Sequence, residues 1–129
     1  SIKIMEGSGT IEGQKEIELT VNSYADATQF LQTIGAEVKA EQESKRELWQ
    51  LNDTEIMIDW WPFLEPFIEI EGPSEDAVKN VANTLDCNWE DAIFDSVDAI
   101  YSNIYNISKD RVNNHTPKIL FNMENPFTE

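Results

Sequence analysis

The segment Glu55–Gly72 constrains the fold most, because EIMIDWWPFLEPFIEIEG reads as two strands joined by a bulky apolar corner and ended by a glycine. In an extended strand, successive side chains point to opposite faces. Glu55 and Asp59 therefore share one face of the first strand, and Glu69 and Glu71 share one face of the second. Two adjacent strands each place carboxylates in a row on one side of a sheet. That side is either a solvated face or the wall of a polar cavity able to bind metal ions.

Charge is the compositional property that excludes most functions. The 129 residues, enough for one domain with a modest core, include 25 acidic and 9 basic residues, for a net charge of −16. This charge repels nucleic acids and anionic membranes and attracts cations, including divalent metal ions. The lone Cys87 cannot form an internal disulfide, and no apolar run approaches the length of a membrane-spanning helix. The composition predicts a cytoplasmic protein that binds neither nucleic acid nor membrane.

The remaining sequence pattern predicts strands followed by helices. Runs typical of strands occur at Ile2–Met5, Lys15–Val21, Glu43–Asn52 and Lys118–Phe121. Three serines able to cap helices, Ser23, Ser74 and Ser96, are each followed by apolar residues at helical spacing. The turn Asn52-Asp53 is too short for a crossover helix, so the strands beside it run antiparallel. We therefore expect an α+β fold, with an antiparallel sheet and helices on one side. It forms a single domain over residues 1–129, with a polar, irregular tail over residues 106–129.

Five carboxylates are candidate metal ligands if their strands lie side by side: Glu16, Glu18, Asp59, Glu69 and Glu71. Hard cations such as Mg²⁺ and Mn²⁺ prefer carboxylate oxygens and keep water positions free for phosphate oxygens. The alternative is that these faces meet water, which is ordinary for one side of an antiparallel sheet.

Two neighbouring basic residues, Lys45 and Arg46, are candidate phosphate ligands, because arginine can bind phosphate through two hydrogen bonds. The alternative is an exposed charge pair without a ligand. The bulky residues around the corner are predicted to pack internally, the alternative being an exposed interface. They are Trp60, Trp61, Pro62, Phe63 and Phe67. The sequence contains no P-loop, no dinucleotide-binding glycine motif, no zinc-ligand spacing and no nucleophile elbow.

Several of these runs together resemble one known family. The ordered segments KEIELTV, ESKRELWQL, IDWWPFLEPFIEIEGPSEDAV and VANTL are similar to the later half of a CYTH domain. This is the triphosphate tunnel family, which includes class IV adenylyl cyclases, thiamine triphosphatases and inorganic triphosphatases. The resemblance extends from Ile2 to Tyr105, and its most specific parts are SKRELW and WPFLEPFIEIEG.

The resemblance implies a closed antiparallel barrel whose interior forms a tunnel. Basic side chains in such a tunnel hold a triphosphate compound, and acidic ones hold Mg²⁺ or Mn²⁺, so that water or a ribose hydroxyl can attack a phosphoryl group. By position, Lys45 or Arg46 resembles the phosphate-binding strand of the family. Of the five carboxylates, the first two resemble the mid-domain acidic pair, and the last three resemble the late acidic wall.

Two departures from the family pattern matter. The N-terminal ExExK strand is absent, and Met5 stands where the strand that opens this chain usually carries an inward lysine. The chain therefore resembles half of a tunnel barrel, with exposed sheet edges that a second copy can cover about a two-fold axis. We expect a homodimer.

Two functions remain open from the sequence. One is a metal-dependent enzyme acting on a triphosphate compound, either a hydrolase or an adenylyl cyclase-like protein. The other is a non-catalytic binding or interaction module that keeps the fold but lacks the cations needed for chemistry. The pattern does not choose among ATP, thiamine triphosphate and inorganic triphosphate.

Overall fold

The computed structural model describes residues 2–5 and 14–128, and for residues 2–5 and 14–16 it describes the backbone alone. The chain divides into two compact units, Ser1–Val38 and Lys39–Glu129, and each is treated by itself. None of the helices in the described ranges is both long and apolar enough to cross a membrane.

The N-terminal unit contains a strand pair and one helix. Strands β1 (Ile2–Met5) and β2 (Gln14–Ile17) run antiparallel, and Ile2 pairs with Ile17. Helix α1 (Tyr24–Thr33) begins as predicted, because the Ser23 side chain accepts a hydrogen bond from the backbone N–H of Asp26.

The strand predicted over Lys15–Val21 is shorter than expected. It ends at Ile17, and residues 18–21 have no partner strand among the described residues. Leu19 and Val21 are consequently exposed, although their alternation predicts that they share a buried face. A period of two shows which side chains share a face, but only a partner strand makes that face part of a sheet.

The C-terminal unit has a three-stranded antiparallel sheet at its centre. The sheet has the order β4 (Lys45–Leu51), β5 (Thr54–Trp60) and β6 (Phe67–Glu71). Helix α2 (Glu75–Thr84) follows β6, contacts β5 and β6, and buries Val81 and Ala82. The Ser74 side chain caps this helix by accepting from the N–H of Ala77. The predicted α+β class and antiparallel sheet are therefore confirmed.

Four further elements follow α2 along the chain. A 3₁₀ turn (Trp89–Asp91) precedes helices α3 (Val97–Tyr105) and α4 (Lys109–Asn114). A short strand, β7 (Lys118–Ile119), pairs in parallel with β3 (Glu41–Gln42). Among the described residues, the strands form three separate sheets and no closed barrel.

The main hydrophobic core lies beneath the apolar corner between β5 and β6. Its buried members come from α3, α4, β7 and the C-terminal segment and are Tyr101, Val112, Ile119 and Phe127. Trp61, Phe63 and Leu64 of the corner pack against this cluster. The prediction that the corner residues serve internal packing is confirmed for Trp61 and Phe63.

Two tyrosines hold the backbone of the corner. The hydroxyl of Tyr101 donates to the carbonyl of Pro62 at 2.7 Å, and that of Tyr105 donates to the carbonyl of Phe63. Phe63 has a φ of 65°, a left-handed conformation that is strained for a bulky side chain. The bond from Tyr105 and the packing of the ring stabilise this conformation.

The tail over residues 106–129 is predicted to be irregular apart from a strand at Lys118–Phe121. That strand is present as β7 but ends at Ile119, and the tail also contains the helix α4, which is not predicted. Phe127 is buried, with its ring centroid 4.9 Å from that of Tyr101 and 5.3 Å from that of Tyr105. Asn125 donates a side-chain hydrogen bond to the Tyr105 hydroxyl at 3.1 Å. The polar composition concealed this order, because one aromatic anchor is enough to fix a polar segment against a core.

Candidate functional site on the three-stranded sheet

The turn between β4 and β5 determines which side chains meet across the sheet. Residues 52 and 53 form the turn, and Asn52 has a φ of 56°, which asparagine tolerates better than most residues. Leu51 pairs with Thr54 beside the turn. Five residues further from the turn on each strand, Arg46 pairs with Asp59. The short turn thus places an arginine directly opposite an aspartate on one face of the sheet.

Arg46 and Asp59 form a bidentate ion pair. The Nε of Arg46 donates to Oδ1 of Asp59 at 2.7 Å, and its Nη2 donates to Oδ2 at 2.6 Å. The Asp59 side chain is only 3% exposed, whereas that of Arg46 is 48% exposed. The hydrogen bond to Asp59 is the main cause that raises the pKa of Arg46 above its ordinary value. A fixed fork of this kind orients the guanidinium group more firmly than a surface pair does.

Glu69 joins the pair from the third strand. The Nη2 of Arg46 also donates to Oε2 of Glu69 at 2.6 Å, so one arginine bridges β4, β5 and β6. Burial raises the pKa of Glu69, the positive charge of Arg46 lowers it, and the nearby Glu71 raises it again. The net direction is upward, mainly because of burial.

Two more carboxylates, Glu71 and Glu55, lie on the same sheet face. Glu71 shares the face of Glu69 on β6, and its direct partner across the sheet is Glu55 on β5. Like charges placed directly opposite each other repel. This face therefore carries Arg46 together with an excess of negative charge, which is an environment that attracts cations.

Lys45 does not join Arg46. Adjacent residues on a strand point to opposite faces, and Lys45 lies with its ammonium nitrogen 4.8 Å from the centre of the Phe121 ring. Phe121 is held there by its backbone N–H, which donates to the carboxylate of Glu43 at 2.9 Å. The two basic residues predicted to bind phosphate therefore lie on different sides of the sheet.

The predicted metal ligands are only partly brought together. Asp59, Glu69 and Glu71 lie on one face of the sheet. Glu16 and Glu18 belong to the other unit; the side chain of Glu16 lies outside the described part of the structure, and Glu18 follows the end of β2 and is exposed. In residues 17–128, no group of three or more histidine, cysteine or acidic side chains is arranged to hold a metal ion.

Comparison with known families identifies the chain. The sequence profile described as the CYTH domain matches residues 2–96 of the 129. The chain belongs to the CYTH domain family. Members of this family bind triphosphate substrates and generally use divalent metal ions. No curated protein and no solved structure gives a significant match to the chain.

Proposed function

We propose that this CYTH chain binds a triphosphate compound together with a divalent metal ion, and that Arg46 is the phosphate ligand on the described sheet. The observation that supports this most is that Arg46 is both oriented and accessible. Its Nε and Nη2 are engaged by two carboxylates, whereas its Nη1 has no hydrogen-bond partner among the described residues. The two N–H groups of Nη1 are available to donate to phosphate oxygens.

Asp59 has a positioning role in this proposal. Both of its oxygens accept from Arg46, and the side chain is almost completely buried. A carboxylate in that position cannot offer an accessible oxygen to a metal ion without releasing the arginine. We therefore separate it from the remaining acidic wall and assign it to the orientation of Arg46.

The metal ion in this proposal is held by Glu69 and Glu71. Oε1 of Glu69 accepts no hydrogen bond from the described residues, and Glu71 is exposed beside it. Two carboxylates do not form a complete protein cage, but Mg²⁺ and Mn²⁺ commonly take one or two carboxylates and complete their shell with water and phosphate oxygens. Such an ion supplies positive charge that neutralises the phosphate groups. Glu16 and Glu18 stay predicted ligands of the N-terminal unit.

Charge makes binding depend on the metal ion. Arg46 shares one sheet face with four carboxylates, so the charge of that face is negative before any ligand arrives. These are Asp59, Glu69, Glu71 and Glu55. A triphosphate group that approaches this face alone is repelled. We therefore expect tripolyphosphate and Mn²⁺ to bind together far better than tripolyphosphate alone.

A thermal-shift titration with tripolyphosphate, with and without Mn²⁺, tests this proposal. Binding at about a hundredfold excess over Kd stabilises the native state by about 2.7 kcal/mol, which raises the melting temperature measurably. Arg46→Ala should remove the metal-dependent shift, whereas Lys118→Ala, which removes the same charge from an exposed position on β7, should keep it. Equal shifts in both variants would contradict a role for Arg46 in binding.

A non-catalytic binding module is the second candidate, and one observation favours it. Arg46 is the basic side chain on this face among the described strands of the C-terminal unit, because Lys45 lies on the opposite face. Phosphoryl transfer needs several positive groups around the transferred phosphate. Phosphate release, or conversion of ATP to cyclic AMP, measured under conditions in which the thermal shift is saturated distinguishes the two. Binding without turnover supports the module.

Two further properties stay proposals. A homodimer is supported by the exposed outer strand β4, whose Leu48 and Trp49 are 60% and 58% exposed. Sedimentation at micromolar concentration tests this, and a monomer would contradict it. A cytoplasmic location is supported by the lone Cys87, which cannot form an internal disulfide.

A further inference from the structure

An open groove lies at the end of β6, beside the sheet face that carries Arg46. It has a volume of about 780 Å³. Its lining comes from the end of β6, from α2 and from the segment after α2, and consists of Ile70, Glu71, Gly72, Glu75, Val78, Trp89 and Phe94. All of these residues belong to the C-terminal unit. The groove therefore combines apolar side chains with two carboxylates.

Two aromatic rings form one wall of the groove. Trp89 and Phe94 meet edge to face with their ring centroids 5.3 Å apart. Phe94 is 78% exposed although its ring contacts that of Trp89. The pair therefore offers an apolar surface on which a side chain of a partner can pack.

The chain already places one cation against this wall. The ammonium nitrogen of Lys79 lies 4.9 Å from the centre of the Trp89 ring and 2.5 Å from Oε1 of Glu75. The combination of an indole face and a carboxylate is one that binds ammonium and guanidinium groups. Lys79 shows that this wall accommodates a positive charge next to an apolar surface.

A second carboxylate in the groove has no such partner. Glu71 makes no ion pair or side-chain hydrogen bond with any residue in the described part of the chain. Its neighbour directly across the sheet is Glu55, so the two negative charges repel each other. A cation arriving at Glu71 would relieve this repulsion. The groove is therefore complementary to a ligand with both positive and apolar groups.

We propose that this groove binds a short basic segment of another protein, in which an apolar side chain packs against Phe94 and an adjacent lysine or arginine pairs with Glu71. An open groove suits an extended peptide better than a small molecule, which proteins usually enclose. A second copy of this chain is a poor occupant of this groove, because a chain with 25 acidic and 9 basic residues offers few basic segments that could pair with Glu71. This proposal is argued without phosphate or metal binding, but it uses Glu71, so a metal ion held by that carboxylate would compete with the basic side chain of the peptide.

Fluorescence anisotropy with labelled peptides tests the proposal, without divalent metal so that the phosphate site plays no part. Three peptides have leucine and phenylalanine at the same positions and differ only in the residues between those positions. These residues are lysine in the first peptide, glutamine in the second and glutamate in the third. We expect saturable binding of the lysine peptide that weakens with salt, and no binding of the glutamate peptide. Equal binding of the lysine and glutamine peptides would overturn the role of charge.

Two alanine variants test whether the peptide binds in the groove. Phe94→Ala should weaken the affinity for the lysine peptide about tenfold, as expected for an anchoring residue. The matched control is Phe30→Ala on α1, which removes a ring that is 65% exposed and lies outside the groove. Equal weakening in both variants overturns the proposal, because the acidic surface as a whole would then be the binding site. Self-association that Phe94→Ala abolishes would overturn it in favour of a second copy.

Discussion

The candidate site and the core beneath the corner are stabilised in different ways. The site lies on a sheet whose outer strand is exposed along Lys45–Gln50 and whose strands are bridged by Arg46. The core buries Tyr101, Ile119 and Phe127 almost completely. All buried members of that core follow residue 96, where the match to the CYTH family ends. The family-matched segment therefore carries the candidate chemistry, and the segment after it supplies the main apolar core of the C-terminal unit.

The strongest test of this comparison is the removal of a core ring. Tyr101→Ala deletes a fully buried side chain and its hydrogen bond to Pro62, and we expect a loss of about 3–5 kcal/mol in the free energy of unfolding. Leu48→Ala, on the exposed strand of the sheet, should change it by less than about 0.5 kcal/mol. Urea denaturation measures both. Similar losses of unfolding free energy in the two variants would mean that the exposed sheet strand and the core contribute equally to stability.

The ion pair provides the next test, because its two partners are buried to different extents. Arg46→Ala leaves the buried Asp59 carboxylate without its partner and should cost about 3 kcal/mol. Asp59→Ala leaves an arginine that is half exposed, can be hydrated and still reaches Glu69, so we expect about 1–2 kcal/mol.

The double variant Arg46→Ala/Asp59→Ala completes this cycle. It should cost less than the sum of the single variants by about 1–3 kcal/mol, because neither charge is then left alone. Urea denaturation of all four proteins supplies the coupling energy. Additive losses would show that the bidentate geometry contributes little to stability.

A smaller effect tests how the sheet is supported from one side. Helix α2 packs against β5 and β6 and begins at Ser74, whose side chain accepts from the N–H of Ala77 at 3.2 Å. Ser74→Ala should reduce stability by about 1 kcal/mol, because the helix loses its N-terminal hydrogen bond. Ser74→Asp keeps an acceptor at the positive end of the helix and should be nearly neutral. Equal losses of stability in both variants would show that the capping hydrogen bond does not account for the contribution of Ser74.

The sequence contains enough information to predict the centre of the site. A turn of two residues fixes the register of a hairpin, so the position of Asn52-Asp53 implies that Arg46 stands opposite Asp59. The period of two likewise separates Lys45 from Arg46, although their adjacency in the sequence suggests both as ligands of one phosphate. Counting residue pairs outward from the turn is therefore sufficient to identify the ion pair.

Other parts of the fold could not be predicted in this way. The register of β6 is set by the corner that contains Phe63, and an irregular corner of this length gives no residue count from which to derive the pairing with Glu69. The burial of Phe127 depends on Tyr101 and Tyr105, which are distant in sequence. Local patterns identify faces and turns, but they do not show which distant surface covers them.

The smallest expected effect concerns acid stability at the start of α3, outside both the site and the core. The hydrogen bond from Lys109 to Asp95, at 2.6 Å, and the backbone N–H of Ser96 lower the pKa of Asp95. Because the folded pKa lies below the unfolded one, Asp95 contributes stability above the ordinary aspartate pKa of about 4 and loses it as pH falls through the folded value. Asp95→Asn should therefore be less stable than the native chain near pH 7, and the difference should shrink toward pH 3. Urea denaturation at the two pH values measures this change, with Asp53→Asn on the β4–β5 turn as the control. If Asp95→Asn and the native chain differed equally at both pH values, the ion pair with Lys109 would not hold the pKa of Asp95 down.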